Sequence, residues 1–429
     1  MIFDRRYLFG TIFPSLESRW ALSEAARPIL PASLPVFSRK EQEKNERWLL
    51  QASSRIRSRF LSLPGNGPLY ERSLPAEDDP AFLRWKKATL PLLYRLILEA
   101  PLSGIRDAFS GETLAQLADC LEHFYRRAKN FSPSITQDEL GQALRNYLVY
   151  LVFRVQNNLT PDLSDAIFGY SMLYPYTDNF LDAPEHTCAD KRRYNRFIRD
   201  CILDACNCSP DRQDALKEPE EKTGMLIRFA ASLPVSSHQE PFSCSEEAPT
   251  QASLRAGLLL MLEAQEESQR QSDSRLHLSE SEIFSISLFK GGLSVLLDRF
   301  LTGAPLTQED TLFYTGFGLL LQLADDLQDI ASDKTERSRT LFSICSSVQE
   351  MDALLCRLYA YTDSLLASCP VSNPEMNTFL HTCCFHLLSA SAAGSENFFS
   401  PKLLQRLEES FPVSFAFLKE HRQMLVIGL

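Results

Sequence analysis

Basic charge is in short supply. The chain carries 44 Lys and Arg against 55 Asp and Glu, a net charge of −11 and a pI near 5.3. That balance argues against a nucleic-acid partner, which needs a basic face. It leaves an anionic substrate open, because bound metal ions supply positive charge locally. Long apolar runs are missing too. No stretch reaches the about 18 residues that a membrane helix needs, and the best, Leu258-Leu259-Leu260-Met261-Leu262, soon meets Glu263 and Glu266. Asp4, Arg5 and Arg6 precede only a broken apolar stretch with no signal-peptide core, so no transmembrane segment and a cytoplasmic location are expected. Gly numbers only 16 against 24 Pro, and no Gly-rich phosphate loop is present. Of the 11 cysteines, neither Cys201, Cys206 and Cys208 nor Cys383 and Cys384 have the paired spacing of a zinc site. Reduced thiols are expected.

What is there is helical. Apolar residues, 44% of the chain, recur at three and four in segments far longer than strands. The spacing predicts helices over 39–62, 80–99, 112–129, 137–157, 252–271, 279–301, 349–368, 375–393 and 402–424. Residues 63–79, opening on Leu63-Pro64-Gly65-Asn66-Gly67-Pro68, read as a linker or long loop. Residues 232–250, rich in Ser, Pro and Glu, read as a surface loop. The expected organisation is a helical extension over 1–75 and one large all-α domain over 76–429.

Two acidic segments carry the chemistry. The first is Asp178-Asn179-Phe180-Leu181-Asp182, on a helix expected to start at Thr160-Pro161-Asp162 and to kink at Pro175. Asp178 and Asp182 are four apart and share a face, with Tyr174 one turn below. A solvated helix end is the plain alternative. Against it stands the apolar, aromatic surround of Phe168, Tyr170, Met172 and Phe180, where acids need a partner.

The second segment follows a capping start at Thr307-Gln308-Glu309-Asp310, and its helix is expected to continue past Asp333. At about 100° per residue, with Asp325 at zero, Asp329, Gln322, Asp333 and Asp326 fall between about 40° and 100°. Leu319, Leu320, Leu321, Leu323, Ala324, Leu327 and Ile330 fill most of the rest. Such a helix buries most of its circumference, so its acidic stripe meets either solvent or a polar cavity. Carboxylates this close raise one another's pKa unless cations intervene. Oxygen-only ligands favour Mg²⁺.

The run Gly318-Leu319-Leu320-Leu321-Gln322-Leu323-Ala324-Asp325-Asp326-Leu327-Gln328-Asp329 resembles the second aspartate-rich motif of trans-isoprenyl diphosphate synthases, with Leu321 where that family has Phe. The Asp178–Asp182 segment resembles the first, with Asn179 for its second acid. The pair looks most like bacterial tetraprenyl-β-curcumene synthases, whose acidic stripe corresponds to Asp325, Asp329 and Asp333. Gln328, Ser332 and Glu336 also resemble the metal motif of terpene cyclases, but their stripe carries less charge and includes Leu321. The resemblance covers roughly residues 130–400 and is specific only at the two motifs.

It implies an isoprenoid synthase-type bundle around a central apolar cavity, with the two acidic helix ends facing each other. Asp178, Asp182, Asp325 and Asp329 would be catalytic. With Asp326 and Asp333 they would hold Mg²⁺, three ions shared with the diphosphate of a prenyl diphosphate substrate. Asn179, Gln322, Lys290, Arg192, Arg193, Tyr174 and Phe317 are candidate substrate contacts, and Tyr170, Phe313 and Tyr314 candidate walls. The second diphosphate site of chain-elongating enzymes is missing its Gly-Lys-x-x-Arg segment, and Arg192-Arg193 lacks the following Gly. A terpene synthase is therefore favoured. The alternatives are a prenyltransferase and a non-catalytic helical binding protein, and a homodimer stays open.

Overall fold

Short polar side chains set where the helices begin. Ser38 with Glu41, Thr136 with Glu139, Ser279 with Glu282 and Thr307 with Asp310 each form a capping box, satisfying backbone donors that the first turn leaves open. The computed structural model describes residues 2–24, 30–31, 34–64, 74–101, 104–183, 186–203, 218–233, 250–371 and 373–421. In chain order come α1 (Arg5–Tyr7), a π-helical turn, α2 (Phe13–Glu24), α3 (Arg39–Leu61), α4 (Pro80–Glu99), α5 (Ile105–Ala108), α6 (Gly111–Phe131), α7 (Gln137–Gln156) and α8 (Asp165–Asp182). Then follow α9 (Cys188–Leu203), α10 (Glu218–Ala230), α11 (Gln251–Ser268), α12 (Glu280–Leu301), α13 (Gln308–Gln328) and α14 (Ile330–Glu336). The chain ends with α15 (Val348–Leu366), α16 (Pro374–Gly394), α17 (Pro401–Glu409) and α18 (Phe415–Glu420). No strand occurs among the described residues, and no described helix is long and apolar enough to cross a membrane. The fold is all-α.

Apart from the second acidic segment, two of the expected helix boundaries lie elsewhere in the structure. The helix of the first acidic segment starts at Asp165, capped by Ser164, not at Thr160. Residues 160–162 are instead held by α7: Arg154 donates to the Thr160 carbonyl, Tyr147 to the Asp162 carbonyl, and Tyr150 to the Asp162 carboxylate. The segment 402–424 splits into α17 and α18, because Pro412 cannot continue a helix and Ser414 caps a new one. Most of the expected linker and surface loop, 65–73 and 234–249, lies outside the described residues, as do Cys206 and Cys208.

The first part of the 1–75 extension belongs to the same core as the bundle. Phe3, Leu8, Ile12, Leu16 and Trp20 are all buried in it. Trp20 stacks on Phe284 at 5.5 Å, and the Arg357 guanidinium lies over its ring at 4.3 Å. From α3, the Gln42 amide donates to the carbonyls of Glu408 and Phe411.

Helices α12 and α13 are packed backbone to backbone. A Cβ on Gly318 would stand 2.0 Å from the carbonyl oxygen of Gly291, and one on Gly291 2.5 Å from that of Gly318. Only a residue without a side chain permits this approach. It brings Lys290 on α12 alongside the acidic end of α13.

Buried in α16 against Phe411 is His386, whose pKa burial pushes down to about 4. The folded chain thus binds its proton less readily than the unfolded chain. The stability gained from a neutral His386 is complete above about pH 6.5 and is lost as pH falls toward 4. Denaturant melts should show wild type losing about 3 kcal/mol more than His386→Leu across that window. Parallel curves for the two proteins would contradict this.

Candidate active site

A stripe of three residues on α8, each one turn from the next, faces a single cavity: Tyr170, Tyr174 and Asp178. Helices α9, α10 and α11 complete the wall with Ile198, Ile227, Leu258 and Met261, among others. The cavity holds about 620 Å³ of empty space, part of it open to solvent. Deep in the stripe, the Tyr170 hydroxyl donates to the Ser294 carbonyl at 3.3 Å, and the Tyr174 hydroxyl pairs with the Ser294 hydroxyl. Tyr174 thus occupies the cavity wall one turn below Asp178.

The second acidic segment sits at a helix junction. Its helix does not run unbroken past Asp333: α13 ends at Gln328 and α14 begins at Ile330. Asp329, between them, leaves helical geometry at φ −99° and ψ 14°. Even so, Asp329 N–H donates to the Asp325 carbonyl at 3.0 Å and Asp333 N–H to the Asp329 carbonyl at 2.8 Å. The hydrogen-bond thread therefore carries the three acids across the junction, and the charge of Asp329 raises the pKa of both Asp325 and Asp333.

Burial is the main cause of the shift at Asp325, followed by Asp329; Lys290 and Arg145 act the other way, and Asp178 adds to the rise. Asp325 is nonetheless exposed to solvent, and it is not among the residues that line the cavity. The two acidic segments are thus within electrostatic reach of each other. Asp333 accepts from the Thr340 hydroxyl at 3.0 Å, yet burial lifts its pKa to about 6. Asp326 is buried, 5% exposed, and burial lifts it to about 8. One of its oxygens accepts from the Gln322 amide at 2.9 Å; the other, Oδ2, has no partner.

The remaining candidates separate. Gln322 holds Asp326 in place. Lys290 joins the acidic cluster. Asn179 is exposed on α8, and the Asp182 side chain lies outside the described residues. Arg192 is exposed on α9, while Arg193 forms an ion pair with Glu220 of α10 at 2.5 Å. Phe317 packs between Phe153 and Phe313, with centroids 5.8 and 6.1 Å away. Tyr314 bonds to Gln156 and Asn157. Among the described residues the cavity wall is built without these three rings. No three carboxylate, His or Cys side chains converge as a ready metal ligand set among the described residues.

Sequence reasoning missed two neighbours of the site. Arg145 on α7 answers the charge of Asp325, and nothing local distinguishes it from any other helical arginine. Asp298 on α12 is 1% exposed, accepts from Asn146 Nδ2 at 3.0 Å, and is driven by burial well above the carboxylate range. Its signal was visible: a lone acid inside Val295-Leu296-Leu297-Asp298-Arg299-Phe300.

No family model, curated protein or solved structure matches this chain.

Proposed function

We propose that this chain is a Mg²⁺-dependent class I terpene synthase, which ionises a linear prenyl diphosphate to an allylic cation and releases diphosphate. One observation carries the reading. Asp178 of α8, which lines the apolar cavity, bears electrostatically on Asp325 of α13, with Lys290 and Arg145 beside it.

The donor set suits the metal. Oxygen ligands dominate it, Asp326 keeps a buried oxygen without a partner, and Asp325, Asp326 and Asp333 have raised pKa values, chiefly through burial and further through one another and Asp329. Asp178, Asp182, Asp325, Asp329 and Asp333 would hold it, with Asp326 behind them. When bound, Mg²⁺ supplies the charge neutralisation that makes diphosphate a good leaving group. Lys290 and Arg145 draw the anion toward the acids they face. The apolar wall excludes water, and the rings of Tyr170 and Tyr174 present π faces to a developing cation. A two-substrate prenyltransferase is less well supported, since Arg193, a candidate for its second anion site, is engaged with Glu220.

Without metal, the high pKa of Asp326 favours the fold at low pH, and this advantage is lost as pH rises through about 8. Metal must displace those protons. Calorimetry with Mg²⁺ and inorganic diphosphate should show Mg²⁺-dependent binding that releases protons and tightens several-fold from pH 6 to pH 8. Diphosphate binding indifferent to Mg²⁺ would remove this reading.

A further inference from the structure

One amide oxygen stands without a partner in the cavity wall. Gln265, in the last turn of α11, is 6% exposed and lines the cavity beside Met261 and Leu262. Its Oε1 meets no hydrogen-bond donor. Buried polar atoms are seldom left this way unless a water or ligand satisfies them. The other hydroxyls on the wall are occupied. Tyr174 pairs with the Ser294 hydroxyl, Tyr170 donates to the Ser294 carbonyl, and Thr177 donates to the Leu173 carbonyl at 2.8 Å. Gln265 therefore places a buried, unused acceptor in an otherwise apolar stretch of the cavity wall. An uncharged amide oxygen in such surroundings selects a neutral O–H donor over an anion.

We propose that Gln265 is the cavity's anchor for an O–H donor. On the terpene synthase reading, on which this proposal rests, the donor is a water molecule that quenches the cation, and afterwards the hydroxyl of the product. The water's oxygen lone pair forms a C–O bond to the cationic carbon. The oxonium proton then passes to the diphosphate released at ionisation. The product is an alcohol rather than a hydrocarbon.

The test uses the full chain and needs no turnover for its first arm. Calorimetry without Mg²⁺ compares linear prenyl alcohols of ten and fifteen carbons with the matching alkenes that lack the hydroxyl. Wild type is expected to bind the alcohols at least about tenfold more tightly, and Gln265→Leu and Gln265→Met to lose that preference. Neither variant should melt below wild type, because each removes a buried unpaired atom. Equal affinity of wild type for alcohol and alkene, or a preference kept in both variants, overturns the proposal. In the second arm, wild type turns over prenyl diphosphates in ¹⁸O-water. An alcohol carrying one labelled oxygen identifies water as the source, and products without the label overturn that step. If no diphosphate is released from any prenyl diphosphate, the terpene synthase reading fails, while the binding comparison still decides the role of Gln265.

Discussion

Replacing Asp325 by Asn is expected to lower Mg²⁺-dependent release of diphosphate from prenyl diphosphates by at least about 10³-fold. Asn keeps the size and hydrogen-bonding reach of the side chain but removes the charge. Asp325 is exposed to solvent, so the fold should tolerate the change. Asp178→Asn should lose as much. The double variant should lose little more than either alone, because groups that act as a unit are not additive. Asp326→Asn provides the contrast. Asp326 is buried and, with its pKa near 8, already protonated at neutral pH, so a neutral amide beside Gln322 should leave the melting temperature nearly unchanged. A coupled phosphate assay reads all four proteins. Activity of Asp325→Asn within tenfold of wild type would contradict the assignment of that residue.

The second large effect is structural. Gly318→Ala is expected to destabilise the chain by about 4 kcal/mol or more, at the severe end for a single substitution. The added methyl would lie 2.0 Å from a backbone oxygen of α12, and no rotamer change relieves a clash with backbone. Helices α12 and α13 must separate, and the surrounding core of Leu293, Leu297, Leu320 and Leu323 opens with them. Gly394→Ala is the control, since a Cβ there meets nothing within 4 Å. Thermal melts of the two variants should differ by well over 5 °C. Equal melting temperatures would contradict the close backbone approach.

Much of this architecture was legible because helical signals are local. The span 80–99 is read from apolar spacing, and α4 occupies it, with Asp79 as cap and Pro80 in the first turn. Thr307 with Asp310 likewise announces α13. The false start at Thr160 carried the same kind of signal. It failed because Tyr147, Tyr150 and Arg154, a helix away, hold that segment otherwise. The acids of the second segment were found by helical geometry, which survives the break at Asp329 through its hydrogen-bond thread. What stayed hidden depends on which helices meet. Arg145 faces Asp325, and Gln265 faces the cavity, only once α7, α8, α11 and α13 are assembled. The aromatic rings show the converse: Phe317 and Tyr174 look alike in sequence, yet one fills the core and the other lines the cavity.

The central claim is that the two acidic segments form one site for ionising a prenyl diphosphate. Its most direct test is diphosphate release by the full-length chain from linear prenyl diphosphates of ten to thirty-five carbons, with Mg²⁺ and with Mg²⁺ removed by chelation. The account predicts release with at least one chain length, abolished by the chelator and restored by added Mg²⁺. No release at any length, or release that survives chelation, would contradict it.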